Sequence, residues 1–328
     1  MIKPTSVTAE RVPRVADLTV ETFLSEYLMK NRPVIVTGAM SDWKALTKWE
    51  PTHLEERFGN ERVQVYGDLF RLFDITTLSE YLRKYFGQNE ESGRNGSVPY
   101  VRWYSHLVAD DRVPWADEIF TQIAEDWSRP AFFPADSFVL PFCPPWAMID
   151  PVRNWFPARG LFISARGART RLHVDPWCSD ALLCQIYGEK DFLLYEPSQG
   201  AFLAKQGRFV DVAAPDSHAF PEFGKARPTA QDTLRAGEMV LVPAGWYHHF
   251  DTVSDSISLT WNFVHLCRLP EFLSYVSAGP SENEVKQLAY AYFEAPGRHM
   301  IENSTFVSTL LKAQEYLQAS SGMASAIR

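Results

Sequence analysis

Two periodicities divide the chain. Between residues 161 and 265, short apolar runs of strand length follow one another closely and are punctuated by turn residues. Ser256-Ile257-Ser258-Leu259-Thr260-Trp261-Asn262-Phe263 alternates polar and apolar side chains throughout, as a strand between two different environments does. Residues 182–187 and 190–195, joined at Gly188-Glu189, predict a hairpin, and Ala236-Gly237-Glu238 turns the chain into an apolar strand over 239–242. Such spacing predicts a sandwich or barrel.

The flanks read differently. Val20, Phe23, Leu24, Tyr27 and Leu28 have helical spacing after a polar, proline-containing entry from residue 6, and the helix should stop before Asn31-Arg32-Pro33. Residues 33–38 then predict a buried strand, 51–59 a short helix with a glycine stop, 62–66 a strand and 78–86 a helix. A polar loop over 88–97 leads into an aromatic strand over 98–105, whose Trp103 and Tyr104 are within reach of a central pocket, although aromatics such as these and Trp177 are more often core residues than substrate contacts. The proline- and aromatic-rich stretch 130–157 implies ordered, irregular packing rather than a linker. After Pro270 the helical period returns over 272–276, 282–293 and 306–317. The fold class is therefore mainly β with flanking helices. It divides into N-terminal helices and strands over 1–130, a β core over 131–268 and a C-terminal helical segment over 269–328, packed as one integrated unit.

Composition narrows the setting. Hydrophobic residues make up 46% and aromatics 14%, enough for a generous core. A formal charge of −8, from 40 acidic and 32 basic residues, argues against a broad electrostatic footprint for nucleic acid. Cys143, Cys178, Cys184 and Cys267 form no C-x-x-C pair and are too few for a disulfide scaffold. No apolar signal core opens the chain, and no stretch reaches the roughly 18 apolar residues of a membrane span. A soluble cytoplasmic protein is expected, or a nuclear one in a eukaryote, with no membrane partner.

The chemistry centres on Arg171-Leu172-His173-Val174-Asp175-Pro176-Trp177. On a strand, His173 and Asp175 share one face with Arg171, while Val174 packs behind. A third ligand is available in Pro243-Ala244-Gly245-Trp246-Tyr247-His248-His249-Phe250, where alternation puts Trp246, His248 and Phe250 on one face and Tyr247 and His249 on the other. Two histidines and a carboxylate on one face of an octahedral ion leave three positions open, the arrangement of non-haem iron(II) oxygenases. A lone His-x-Asp is more commonly a surface pair, and context must decide. His53, His106, His218, His265 and His299 have no motif around them and read as structural or surface residues, and Cys178 and Cys184 as small buried side chains.

Context comes from further landmarks. Asn31-Arg32-Pro33-Val34-Ile35-Val36-Thr37-Gly38-Ala39, Asp42-Trp43, Gly188-Glu189-Lys190-Asp191-Phe192-Leu193-Leu194-Tyr195, Ala236-Gly237-Glu238 and Ser258-Leu259-Thr260-Trp261-Asn262-Phe263 occur in order around the two histidine motifs. With these the chain resembles the JmjC, or cupin-like, iron(II)- and 2-oxoglutarate-dependent oxygenases, in particular the factor-inhibiting-HIF type side-chain hydroxylases. The resemblance covers most of the chain. It implies a double-stranded β-helix, a jelly-roll, with His173, Asp175 and His248 as the metal ligands. It implies Lys190 as the partner of the distal carboxylate of 2-oxoglutarate, and Thr170 and Asn262 as positions that support the cosubstrate; Tyr104 is a separate candidate, from its aromatic strand, for contact with cosubstrate or substrate. Strict alternation puts Thr170 on the face opposite His173, so its contribution requires a twisted or bulged strand.

The implied activity is hydroxylation of a C–H bond, most simply of an amino-acid side chain in a peptide or protein, with iron(II), 2-oxoglutarate and dioxygen. N-methyl demethylation and hydroxylation of tRNA or a small molecule use the same oxidant; the absence of a cysteine cluster and the acidic balance count against the chromatin and RNA variants. A non-catalytic cupin-like binding or interaction module is the alternative of a different class, and it has no use for Lys190. The helical segment after Pro270 resembles, in position, the region that dimerises some side-chain hydroxylases of this family, which implies a homodimer; its apolar residues Leu273, Val276, Leu288, Tyr292 and Phe293 are equally suited to capping the barrel intramolecularly. Nothing in the loops over 88–97, 103–113 and 197–228 names a target.

Overall fold

The computed structural model describes residues 9–67, 71–88, 98–104, 116–135, 159–175 and 178–277. Its strands, in chain order, are β1 (Arg14–Val15), β2 (Val34–Thr37), β3 (Arg62–Tyr66), β4 (Leu72–Thr77), β5 (Tyr100–Tyr104), β6 (Arg159–Ser164), β7 (Arg169–His173) and β8 (Asp180–Tyr187). There follow β9 (Glu189–Tyr195), the short β10 (Ala204–Lys205) and β11 (Arg208–Phe209), then β12 (Ala230–Arg235), β13 (Glu238–Val242), β14 (Tyr247–Thr252) and β15 (Ser256–Phe263).

Successive strands of the core cross between two sheets, except that β9 and β12 are neighbours in one of them. One has the order β12-β9-β14-β7; the other contains β13-β8-β15-β6. All these neighbours are antiparallel. This is the winding of a double-stranded β-helix, as the resemblance implied. The larger sheet is extended at both ends by N-terminal strands, β2 and β1 beyond β13, and β5, β3 and β4 beyond β6, so that it reaches nine strands among the described residues. The N-terminal region and the jelly-roll therefore share one sheet.

The alternation of β15 acquires its meaning here. Ile257, Leu259, Trp261 and Phe263 join Leu182, Cys184, Met239, Leu241, Leu161 and Ile163 in the outer core under the N-terminal helices. Ser256, Ser258 and Thr260 face the other way and are buried as well. Both faces of the sheet are thus covered, and the polar one looks into the jelly-roll. Burying hydroxyls is unfavourable unless they are hydrogen-bonded. Gln185 answers for two of them: its Nε2 donates to Ser256 Oγ at 2.8 Å and its Oε1 accepts from Ser258 Oγ at 2.7 Å. An apolar cluster of Ile35, Phe192, Leu194, Leu234, Val240, Val242 and Phe250 forms a second core. A third cluster, with Leu172, Tyr195, Leu203, Val210 and Phe220, lies under the connection between β9 and β12.

The N-terminal helix runs from Val20, capped by Thr19, and continues as a π-helix over Phe23–Leu28, ending before Asn31 as expected. Phe23 packs at 5.0 Å from Phe132 and 5.9 Å from Phe133 between ring centroids. The helix Leu78–Tyr85 opens on a capping box of Thr77 and Glu80. Trp103 takes the core role that such aromatics more commonly have. It is buried in the outer core, edge-on to Phe58 at 6.2 Å, because alternation along β5 turns Val101 and Trp103 away from the jelly-roll interior. β1 and β4 were not anticipated; β4 is an exposed edge strand whose Leu72 and Phe73 face solvent, which leaves no amphipathic pattern to read. Most of the 88–97 loop and of the proline-rich stretch, Trp177, and the helical segments over 282–293 and 306–317 lie outside the described residues. No helix among the described residues is long and apolar enough to cross a membrane.

Candidate metal centre

β7 and β14 are neighbours, and His173 stands directly opposite His248 with ring centroids 4.1 Å apart. The two rings are oriented in the same way. His173 Nδ1 bonds to the Arg171 carbonyl at 2.8 Å and His248 Nδ1 to the Trp246 carbonyl at 3.1 Å. A carbonyl only accepts, so each ring carries its proton on Nδ1 and leaves the Nε2 lone pair for a metal. Asp175 follows just past the end of β7, with Oδ1 3.8 Å from Nε2 of each histidine. Donor atoms of these three residues lie within 4.8 Å of one another. Adjacent ligands of one octahedral ion stand roughly 3 Å apart, so a modest closure around a divalent metal completes the site. Burial, then the neighbouring His248, push the His173 pKa well below its ordinary value, so the ring is neutral at pH 7, the form that binds metal. His249, the rival ligand, faces the outside of this sheet, with Nε2 3.1 Å from Asp251 Oδ2.

Thr170 and Arg171 change places relative to the strict pattern. His248 pairs with His173 but Phe250 pairs with Thr170, so three steps on β7 match two on β14. That is a bulge, and it brings Thr170 onto the inner face with His173. Arg171, expected beside His173, turns outward instead, its Nε 3.6 Å from Asp211 Oδ2 in the connection between β9 and β12.

The interior beside the triad holds the rest. Lys190, on β9, is buried, and burial pulls its pKa down to about 8. No carboxylate among the described residues lies within ion-pair distance of it. Its Nζ stands 5.8 Å from the ring centroid of Phe162, and that ring stacks on Tyr100 at 6.2 Å. Asn262 occupies the inner face of β15 at the metal end, donating to Ser179 Oγ at 3.2 Å. The Tyr104 side chain lies outside the described atoms; the backbone of β5 puts position 104 on the same face as Tyr100 and Arg102. Sequence reading passed over Tyr100, Arg102 and Phe162. The signal was available in Tyr100-Val101-Arg102-Trp103-Tyr104, where polar-capable and apolar residues alternate.

Asp180 is a further residue that the sequence did not single out. It opens β8, fully buried, with its pKa raised by burial to about 7. Its Oδ1 accepts the Ala244 N–H at 2.9 Å, which anchors the turn leading to His248.

Geometry of this kind marks a metal-binding jelly-roll protein. Comparison with known proteins narrows the class: residues 20–268 match the model of the cupin-like domain, and the chain belongs to that family. Among its relatives is the 2-oxoglutarate and iron-dependent oxygenase JMJD4 of Gallus gallus, 23% identical over 277 residues, which cover 79% of this chain and 61% of that one. The bifunctional peptidase and (3S)-lysyl hydroxylase JMJD7 of Homo sapiens is 25% identical over 73% of this chain and 79% of its own. The tRNA wybutosine-synthesizing protein 5 of Gallus gallus is 26% identical over 79% and 78%. The chain spans only 61% of the chicken JMJD4 protein and 58% of the human one.

Proposed function

We propose that the protein is an iron(II)- and 2-oxoglutarate-dependent oxygenase that hydroxylates a C–H bond of an amino-acid side chain in a peptide or protein. The observation that carries this reading is the pairing of a two-histidine, one-carboxylate triad with a buried lysine in the same interior. A redox-silent binding module needs the first and not the second. The names of the relatives support the cofactors, since JMJD4 is called a 2-oxoglutarate and iron-dependent oxygenase.

Bound at the triad, iron(II) with 2-oxoglutarate and dioxygen supplies the oxidant that converts C–H to C–OH. The chain's own residues do the positioning. His173, Asp175 and His248 would hold the ion. Lys190 would meet the distal carboxylate of 2-oxoglutarate, which would compensate the cost of burying an ammonium group. Thr170 and Asn262 on the inner face, and position 104, border the same space, and Tyr100 with Phe162 walls it against water.

The test is anaerobic absorption of the protein with iron(II) and 2-oxoglutarate. A visible charge-transfer band, lost in His248→Ala and weakened in Lys190→Ala, together with succinate formation under air, is the expected result; a folded, metal-loaded protein without the band overturns the assignment. The homodimer belongs to the same proposal, supported by the apolar positions after Pro270, and a monomeric mass by light scattering refutes it.

A further inference from the structure

The carbonyls that orient the two metal-ligand histidines have different settings. The one that receives His173 belongs to Arg171, within β7 itself. The one that receives His248 belongs to Trp246, just before β14 begins, at the end of the turn Pro243-Ala244-Gly245-Trp246. That turn closes with the Trp246 N–H on the Pro243 carbonyl at 3.1 Å, and Gly245 takes φ 77° at its third position, as in a type II turn. Glycine accepts either sign of φ, so the central peptide of such a turn, which carries the Ala244 carbonyl, has a second orientation open to it.

Two residues from distant parts of the chain grip Ala244. Asp180 Oδ1, at the start of β8, accepts the Ala244 N–H at 2.9 Å, and the Asn31 side-chain amide donates to the Ala244 carbonyl at 3.2 Å. The Asn31 carbonyl also accepts the Trp246 indole N–H at 3.0 Å. Both polar groups of the turn's second residue and the side chain of its fourth are therefore held, which leaves the Trp246 carbonyl directed at His248 Nδ1, 3.1 Å away. Asp180 and Ala244 are buried, so water does not readily replace a lost partner.

We propose that Asp180 and Asn31 are positioning residues for the metal centre: together they clamp the turn that aims His248, and this clamp sets the affinity of the site for its ion. The proposal rests on the metal site of the oxygenase reading. A hydrogen bond that orients a metal-binding histidine is worth roughly ten- to a hundredfold in metal affinity, which gives the size of the effect.

The test is titration of the full chain with cobalt(II), followed by the visible spectrum. Asp180→Leu removes the acceptor. Asn31→Asp removes the donor while keeping a side chain suited to the left-handed backbone, φ 51°. Each is expected to weaken cobalt(II) binding by about tenfold or more and to alter the visible band. Asp180→Asn, which keeps an oxygen for the Ala244 N–H, restores both, with affinity within about threefold of wild type. Because the two grips act on one residue, the double variant Asp180→Leu/Asn31→Asp loses clearly less than the product of the single effects. Leu82→Ala, on the helix Leu78–Tyr85 of the outer core, shows what lost stability alone does: it lowers the unfolding midpoint and leaves cobalt(II) affinity unchanged. Wild-type affinity in Asp180→Leu and Asn31→Asp, equal losses in Asp180→Leu and Asp180→Asn, strictly multiplicative effects in the double variant, or a matching loss in Leu82→Ala overturns the proposal. If Asp180→Leu does not fold, Asn31→Asp compared with Leu82→Ala decides. Failure of the metal-site reading itself is seen independently, as a wild type that binds no cobalt(II) or a band that survives in His248→Ala.

Discussion

Asn31 and Trp246 brace one another across the entry to β14. The Asn31 carbonyl accepts the Trp246 indole N–H at 3.0 Å, and the Asn31 amide donates to the Ala244 carbonyl at 3.2 Å. Asn31 does this from a left-handed backbone, φ 51°, which asparagine tolerates better than most residues. The N-terminal Asn-Arg-Pro motif is thereby tied to the turn that presents His248. Asn31→Ala loses one hydrogen bond and adds backbone strain, about 2–3 kcal/mol together, while Asn31→Gly loses the bond but relieves the strain and costs about 1 kcal/mol. Urea unfolding of both variants checks the order, and equal losses would remove the backbone argument.

The two adjacent histidines of β14 should behave oppositely. His249→Ala leaves the metal affinity within about threefold of wild type, because that ring faces Asp251 on the outside of the sheet. His248→Ala lowers it by about a hundredfold or more, since two ligands hold a divalent ion far less well than three. Titration with cobalt(II), followed by its visible spectrum, separates the two.

Lys190 predicts two opposite pH trends. Burial holds its pKa at about 8, below the ordinary 10.5, so the ammonium form is complete only under that pH. Affinity for 2-oxoglutarate then falls as pH rises through about 8, by about tenfold per unit beyond it, and Lys190→Arg flattens the profile. The stability of the free protein moves the other way. The folded pKa is depressed, so the penalty of the buried charge is full below about 8 and is relieved as pH climbs toward 10.5. Parallel falls in both quantities would contradict the assignment.

Asp180 has the reverse sign. Burial raises its carboxyl pKa from 3.8 to about 7, so its favourable share of stability is complete below pH 4 and disappears as pH rises through 7. Asp180→Asn keeps an oxygen for the Ala244 N–H and cannot ionise. The difference in stability between the variant and wild type should therefore shift in the variant's favour by a few kcal/mol, on the order of 2–4, between pH 4 and pH 8. A difference independent of pH would mean that the carboxylate is already charged and paired throughout.

Gly188 joins β8 to β9 with φ 72°, and a Cβ there would sit 2.0 Å from the Asp255 carbonyl oxygen. Backbone cannot yield as a flexible side chain can. Gly188→Ala should cost at least about 2 kcal/mol in thermal or urea unfolding and displace Lys190, two residues on, with a matching loss of 2-oxoglutarate affinity.

Much of this was legible beforehand, and the reasons are local. His173, Asp175 and His248 sit in motifs where spacing and strand alternation carry the geometry, and Lys190 follows a glycine turn that fixes its hairpin. The jelly-roll interior was legible in Ser256–Phe263, whose polar residues face a closed space rather than solvent. The outward turn of Arg171 was not, because a bulge is a property of the pairing between β7 and β14 and leaves no mark in β7 alone. Arg102 escaped for a related reason: a single arginine among aromatics reads as a surface residue until Tyr66 and Phe162 are brought against it by three different segments.

The bulge in β7 also bears on how this strand can change over time. Between Thr170 and His173 one residue is surplus to the pairing, since three steps on β7 stand against two on β14. Leu172 can be exchanged for another apolar residue at modest cost, and deletion of one residue there would restore simple alternation while leaving Thr170 and His173 together on the inner face. Relatives that keep the triad are thus free to shorten this interval by one residue, losing the bulge and the outward Arg171 contact but neither inner position.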